Sequence, residues 1–448
     1  MVMKTAVGIL LLLLSGCAAQ GPATQRGMAP ENGIAFIEND WKRALQAGRE
    51  RNLPVFVEVW APWCQSCRSM RATVLPSPEL APRADRFVWL AINTEVDTNA
   101  AFLERYPIDT WPTLLVLEPE QGTVVSRSLG AMSVQQLLGY LSQSEQAFHQ
   151  DRQGQQGLAR ADALALAGRH EEAATAYQQS LAQLPDHDSR RAGATVSLLK
   201  SLAATGHAID CVRHAAKELP KLTRVEDRSR LLYVGLGCAL DIETEEARAL
   251  RNTLEQEALR ALDAPEETLT SPQRSSLYEV VCEVREVTGD EPGLRKMAET
   301  WWRFLELEAE RANGAEERAA LDAHREMAAA LMDRPEVAIP ALERSEKAFP
   351  EDPGPPSRLA SLYLMAGKKD QALAASQRAL ALVTGTESTR VLVGHARVLR
   401  ARGERAEAER LLTDALRELD PGSSRDQRRR RILEFTLTQL REDNTPSP

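Results

Sequence analysis

Residues 60–67 read WAPWCQSC, and this stretch decides the fold of the first part of the chain. Cys64 and Cys67 follow a β-rich run, Pro54–Trp60, and open a predicted helix that continues through Met70. The unpaired N–H groups at the start of a helix favour the thiolate form of Cys64. Cys67 comes one turn later, near enough to close a ring with Cys64. A strand followed by C-x-x-C at a helix start therefore predicts a couple that exchanges disulfides.

Two other uses of this pair remain open from the sequence. A permanent disulfide between Cys64 and Cys67 would close so short a loop that it removes little chain entropy. A zinc site would need further ligands, and neither a second C-x-x-C nor a spaced pair of histidines accompanies the motif in this part of the sequence. We therefore predict neither a metal nor a bound cofactor here.

The sequence around the motif alternates between strand and helix patterns from Gly33 to Gln150. Besides the run before the cysteines, the apolar and amphipathic stretches lie near 41–45, 87–92, 100–106, 113–117 and 123–128, with a helix from 133 onward. Alternation of this kind predicts an α/β sheet flanked by helices. The last two strands predict an antiparallel hairpin at the edge of that sheet.

The segment from Glu58 to Cys67 resembles the active-site stretch of the thioredoxin superfamily. It is most similar to exported, membrane-linked members, among them the C-terminal domain of the bacterial thiol:disulfide interchange protein. The resemblance covers residues 33–150 and implies a thioredoxin-like α/β domain with a central mixed sheet. It also implies that Cys64 attacks the substrate disulfide, that Cys67 resolves the mixed disulfide, and that Glu58 moves protons to and from Cys67.

A proline stands where the superfamily has its cis-proline, in Trp111-Pro112-Thr113. The resemblance implies that this segment packs against the cysteines and pairs with substrate, so the substrate-binding candidates are Trp63, Trp111 and Pro112. The chain departs from the superfamily at Ala91, where thioredoxin keeps a lysine near its buried acid. From this departure we expect Glu58 to lack a cationic partner. Gln-Ser between the cysteines, in place of Gly-Pro, leaves the redox potential and the direction of electron flow open.

The N-terminus has the pattern of an export signal. A positive start at Lys4 precedes an apolar run, Val7–Leu14, which is shorter than the ~20 apolar residues that span a bilayer. The run ends in Leu14-Ser15-Gly16-Cys17, which resembles the lipobox of bacterial lipoprotein precursors. The resemblance implies a signal peptide over 1–16, a lipid anchor on Cys17, a flexible tether over 17–32, and a periplasm-facing protein at the outer membrane. An ordinary cleaved signal with an incidental cysteine is the alternative.

Beyond residue 150 the composition changes to Ala, Leu, Arg and Glu, and we predict helices over 155–440. Stretches that start at Gly168, Gly367 and Gly403 share one pattern, with Ala five residues later and Leu thirteen residues later. This pattern resembles the second-helix half of a tetratricopeptide repeat, and the step from Gly367 to Gly403 is close to that family's ~34-residue period. The resemblance implies a helical repeat solenoid. A plain helical bundle is the alternative.

Three cysteines lie in the helical part. If Ala208–Glu218 ends one repeat and Arg228–Leu240 begins the next, the two helices run antiparallel and bring Cys211 near Cys238. An exported protein would oxidise such a pair to a structural disulfide. Cys282 is left over, and we expect it to be a small buried residue. A metal site on one helical face is the alternative use of this region, with the candidate ligands His207, Cys211 and His214.

Charge and length narrow the function classes. The chain has 448 residues and a formal charge of -9, with no basic stripe that would neutralise phosphates, so we predict no nucleic-acid partner. We expect a membrane-tethered thiol:disulfide oxidoreductase that acts on exported proteins, exchanges electrons with an upstream donor or acceptor, and docks protein partners on its helical repeats. The alternative is a non-catalytic adaptor whose repeats bind partners on a thioredoxin-like scaffold. The presence of both cysteines favours the oxidoreductase.

Overall fold

The computed structural model describes residues 32–149, 156–265, 268–383, 388–420 and 424–442. The predicted signal peptide, Cys17 and the tether up to residue 31 lie outside the described residues. Within the described ranges, an α/β domain is followed by a solenoid of helices, so the predicted fold class is confirmed. No helix in these ranges combines the length and the apolar character that crossing a membrane requires.

The α/β domain is built on a five-stranded mixed sheet with the order β1-β3-β2-β4-β5. The first three strands in this order are parallel, and β4 and β5 are each antiparallel to their neighbours. Strands β2, β3 and β4 are almost continuously apolar, because helices cover both faces of the sheet. The strands are β1 Phe36–Glu38, β2 Val55–Trp60, β3 Val88–Asn93, β4 Thr113–Leu117 and β5 Val124–Leu129.

Two apolar layers hold the helices of this domain against the sheet. One layer contains Leu45 and Phe102 from two of the helices, packed on Val57 and Leu90 of the central strands. The layer on the opposite face includes Leu137 and further residues of the fourth helix. The helices are α1 Trp41–Arg51, α2 Gln65–Ser69, α3 Ala100–Arg105 and α4 Val134–His149, and α2 continues into a π-helical turn, Met70–Val74.

In the helical solenoid, most helices pack against the next helix in the sequence. One apolar core runs from α5 to α18, and a smaller apolar cluster joins α18, α19 and α20. The helices are α5 Gln156–Leu166, α6 His170–Gln183, α7 Arg191–Ala204, α8 Ala208–Glu218, α9 Val225–Ala239, α10 Glu245–Leu262, α11 Ser271–Val287, α12 Glu291–Arg311, α13 Ala315–Ala319, α14 Asp322–Leu331, α15 Ile339–Ala348, α16 Gly354–Met365, α17 Lys369–Ala381, α18 Ser388–Arg402, α19 Arg405–Arg417 and α20 Ser424–Glu442. A solenoid of this kind buries the apolar side of each hairpin against its neighbours.

The glycines of the repeated sequence pattern lie in the tight turns between helices. Gly168, Gly367 and Gly403 have φ angles of 71°, 72° and 88°, in the left-handed region that L side chains rarely adopt. Each glycine ends one helix and lets the chain reverse into the next within about three residues. The pattern therefore marks the turn of a helical hairpin.

The first helices of the solenoid share interior contacts with the α/β domain. Leu166, at the end of α5, is buried in the apolar layer formed by α1, α3 and the sheet, and α5 and α7 both contact β5. Arg230 of α9 donates a hydrogen bond of 3.1 Å to Oγ of Ser128, and Gln136 of α4 donates one of 3.0 Å to Asp227. These contacts fix the start of the solenoid to the sheet.

Candidate active site

Cys64 and Cys67 lie at the start of α2, directly beyond the carboxyl end of β2. Their Cα atoms are 5.3 Å apart and their sulfurs form a disulfide. Cys64 is the N-cap of α2, and the backbone N–H of Cys67 donates to its Sγ at 3.1 Å. Cys64 is 5% exposed and Cys67 is fully buried. In the reduced state the same N–H group would stabilise a thiolate on Cys64, the outer of the two sulfurs.

Glu58 lies in the middle of β2, opposite Ala91 of β3 and Leu114 of β4, and it is fully buried. Burial raises the pKa of Glu58 from 4.5 to about 7, against the opposing effect of the nearby Arg71 guanidinium. One carboxyl oxygen, Oε2, accepts a hydrogen bond of 2.9 Å from Arg71. The other, Oε1, has no hydrogen-bond partner in the described part of the chain. A buried carboxyl with a pKa near neutrality can take up and release a proton at physiological pH.

The expectation that Glu58 lacks a cationic partner is wrong. Ala91 does occupy the facing position on β3, but Arg71 reaches Glu58 from the π-helical turn after α2. The second guanidinium nitrogen of Arg71 binds Glu38 at 3.0 Å, and its Cζ lies 4.2 Å from the centroid of the Trp60 ring. The sequence does contain a signal for this contact, because Arg71 follows Cys67 by four residues and so shares its helical face.

The peptide bond between Trp111 and Pro112 is cis, and Pro112 is buried. The rings of Trp63 and Trp111 meet edge to face, with centroids 5.0 Å apart. Together with Trp60 and Ala61, these two rings pack around both sulfurs. The structure thus brings all three substrate-binding candidates to the same side of the domain as the redox couple.

Polar contacts orient the rings of Trp63 and Trp111, which together we call the aromatic wall. The indole N–H of Trp63 donates to Oε1 of Glu95 at 2.9 Å, and that of Trp111 donates to Oγ of Thr94 at 3.1 Å. Both acceptors follow β3, so one loop positions both rings. The backbone carbonyl of Pro112 accepts a hydrogen bond of 2.8 Å from the N–H of Gly130, so this carbonyl is already used within the fold.

Two side chains of the solenoid contact residues next to Cys64 and Cys67. Nη1 of Arg68, one residue after Cys67, lies 2.6 Å from Oδ2 of Asp352 in the loop before α16. Cζ of Arg390 on α18 lies 3.9 Å from the centroid of the Trp63 ring. Neither residue was predicted from the sequence, because both are separated from the motif by almost the whole solenoid and no local pattern connects them to it.

The cysteines of the solenoid lie away from this site. Cys211 of α8 and Cys238 of α9 form a disulfide with a Cα separation of 6.2 Å. Cys282 is fully buried in the solenoid core without a disulfide partner, and burial raises its pKa to about 12. Because Cys211 is oxidised in the disulfide with Cys238, Cys211 offers no thiolate to a metal. His207 and His214 instead contact Glu171 and Gln178, and no group of metal-binding side chains occurs among the described residues.

Comparison with known proteins identifies the first domain. A family model described as thioredoxin-like matches residues 36–119. The chain is 35% identical over 82 residues to thioredoxin of Pyropia yezoensis, covering 18% of this chain and 70% of that protein. It is 39% identical over 82 residues to chloroplastic thioredoxin M4 of Arabidopsis thaliana, covering 18% of this chain and 38% of that protein.

A third relative is the thiol:disulfide interchange protein of Pseudoalteromonas atlantica, which is 28% identical over 92 residues. That match covers 20% of this chain and 15% of the relative, so the chain spans only a minor part of the length of this protein and of thioredoxin M4. All three matches are shorter than the α/β domain together with the solenoid. The α/β domain, with its C-x-x-C pair at the start of α2 and its cis-proline, makes this chain a member of the thioredoxin family.

Proposed function

We propose that the chain is a thiol:disulfide oxidoreductase that works through Cys64 and Cys67. The observation that carries this proposal is the arrangement at the start of α2. Sγ of Cys64 accepts a hydrogen bond from a backbone N–H group, and Sγ of Cys67 is bonded to it. The buried carboxyl of Glu58, with a pKa of about 7, lies on β2, the strand that precedes α2. A purely structural disulfide needs neither the carboxyl nor the aromatic wall. The relatives' names add support, since they are thioredoxins and a disulfide interchange protein.

The exchange proceeds in two steps in the reducing direction. The Cys64 thiolate attacks one sulfur of a substrate disulfide, and the other substrate sulfur leaves as a thiolate that takes a proton from water. Cys67 then gives its proton to Glu58 and attacks Sγ of Cys64, which releases the second substrate sulfur. The substrate gains two electrons and the Cys64–Cys67 couple becomes a disulfide. The same steps in reverse oxidise a substrate dithiol.

Each turnover leaves the couple in its other oxidation state, so an upstream donor or acceptor must restore it. We propose that the substrates are exported proteins that bear disulfides or thiols, and that lipid on Cys17 tethers the chain to the periplasmic side of the outer membrane. The lipobox-like sequence supports the tether, and the Cys211–Cys238 disulfide suits an oxidising compartment. We further propose that the solenoid is built of tetratricopeptide-like repeats and docks protein partners.

A trapping experiment tests the proposed roles. Cys67→Ser is expected to accumulate a covalent complex with a substrate protein, because attack by Cys64 succeeds and resolution fails. Cys64→Ser is expected to trap nothing, and Cys282→Ala is the control that removes a thiol outside the site. The wild type should reduce insulin with dithiothreitol as the electron source. If the wild type reduces no disulfide and neither active-site variant traps a protein, the adaptor hypothesis replaces this one.

A further inference from the structure

The solenoid covers the redox face, which we define as residues 60–70. Every residue in this stretch is buried or half-buried, including the outer cysteine. The cover comes from α11 and the C-terminal helices, α12–α20. Helices α11 and α14 contact α2, α13 contacts the π-helical turn, and α20 contacts α3. A large protein substrate therefore has no direct path to Cys64 in this conformation.

Two polar contacts join this cover to the redox face. The Arg68–Asp352 ion pair joins side chains that are 19% and 20% exposed, and its N–O distance is 2.6 Å. The guanidinium of Arg390 stacks on Trp63 at 3.9 Å. The apolar cluster around the two sulfurs draws its described members from residues 60–67 and Trp111, and none from the solenoid.

The start of the solenoid is attached differently. Leu166 of α5 lies inside the apolar layer of the sheet, and the half-buried Arg230 of α9 donates a hydrogen bond to Ser128 of β5. Moving these helices away would expose the buried Leu166 and remove the hydrogen-bond partner of the Arg230 guanidinium, and both changes are costly. Gln273 of α11 also donates a buried hydrogen bond of 2.7 Å to Gln136 of α4. The solenoid is thus anchored to the domain at α5–α11, and α12–α20 are the C-terminal helices that the two polar contacts hold at the redox face.

We propose that Asp352 and Arg390 determine which disulfides reach Cys64: small disulfides enter the closed form, and protein disulfides enter only after the C-terminal helices move off the redox face. This inference rests on the proposed oxidoreductase function. An ion pair of this exposure and one cation–π contact together correspond to about a tenfold change in the equilibrium between closed and open forms. Removing both contacts should raise the reactivity of Cys64 toward large reagents by about that factor.

Size-selective alkylation of the reduced full chain tests the inference directly. The variant carries Asp352→Asn and Arg390→Gln, and the matched control carries Asp370→Asn and Arg378→Gln, which break exposed ion pairs elsewhere on the solenoid. The probes are N-ethylmaleimide and a maleimide on a polyethylene glycol chain of protein size, with peptide mapping to follow Cys64 alone.

We expect the variant to react about tenfold faster with the large probe. With the small probe we expect less than about a twofold change. The control should match the wild type with both probes.

Equal rates for variant and wild type with the large probe would overturn the inference. Thermal melting followed by circular dichroism checks that the variant is folded. A second measurement needs no variant: raising the salt concentration should speed the large-probe reaction of the wild type by about twofold, since salt weakens a partly exposed ion pair. Absence of this rise would count equally against the inference.

Two disulfide substrates separate this inference from the proposed function. If the variant accelerates the large probe but neither glutathione disulfide nor insulin is reduced by any form of the protein, the cover is real and the oxidoreductase function is wrong. If wild type and variant reduce insulin and glutathione disulfide at equal rates, the function stands and the inference fails. If the variant gains about tenfold with insulin and little with glutathione disulfide, both are supported.

Discussion

Replacing Glu58 with glutamine tests whether this buried carboxyl holds a proton near neutral pH. Glutamine keeps the size of the side chain and removes its ionisation. Any constant cost of the change, such as a poorer contact with Arg71, is independent of pH. The difference in unfolding free energy between variant and wild type should therefore change with pH only through the titration of Glu58.

The sign and size follow from the two pKa values of this group. Its pKa is 4.5 in the reference state and about 7 in the folded protein, so folding takes up a proton between these values. The carboxyl's contribution to stability is fully present below about pH 4.5 and is lost as the pH rises through about 7. At about 1.4 kcal/mol for each tenfold change in proton affinity, the whole loss amounts to about 3 kcal/mol. Glu58→Gln does not suffer this loss.

Urea unfolding of the oxidised proteins, followed by circular dichroism from about pH 4 to about pH 8, measures the difference. Relative to the wild type, Glu58→Gln is expected to gain about 3 kcal/mol across this range. The control Glu246→Gln removes an exposed carboxyl whose pKa is lowered by Arg213, so it should show no such gain. A difference between Glu58→Gln and wild type that stays constant with pH would refute the reasoning and remove Glu58 as a proton carrier at neutral pH.

Three further changes have defined outcomes. Arg71→Met should raise the pKa of Glu58 further and shift the pH profile of mixed-disulfide resolution upward by about one pH unit, as measured by stopped-flow kinetics. Cys211→Ser combined with Cys238→Ser opens a cross-link with a sequence separation of 27, and calorimetry should show a loss of about 3.5 kcal/mol. Cys17→Ser should release the chain from membranes or leave it unprocessed; a wild type that fractionates as soluble and unacylated after export would contradict the anchor.

Much of the α/β domain was predictable because its signals are local. The apolar runs of β2, β3 and β4, and the C-x-x-C at the start of α2, each lie within about ten residues of sequence. Strand β1 was missed because it has three residues, too few for a period to show. The proximity of Cys211 and Cys238 was predictable for a related reason: consecutive antiparallel helices place such positions side by side.

The remaining features of the site could not be predicted because they depend on how distant elements meet. Asp352 is 284 residues from Arg68 in sequence, and only the curvature of the whole solenoid brings the two side chains together. The partner of Glu58 was missed for a different reason. The superfamily supplies its cation from the position of Ala91, whereas this chain supplies it from Arg71 on the adjacent helical turn.

Cutting the chain between α4 and α5 would remove the helices α5 and α7, which contact the edge strand β5. Its outer N–H and C=O groups would then be available to pair with the same strand of another molecule, which is a common start of aggregation. The loss of Leu166 would also leave a cavity in the apolar layer beside the sheet. An isolated thioredoxin-like fragment that ends at His149 should therefore be prone to self-association, and the shortest well-behaved fragment should extend at least through α7. We therefore expect that the α/β domain, although it is a separate fold, does not form a stable monomer without the first helices of the solenoid.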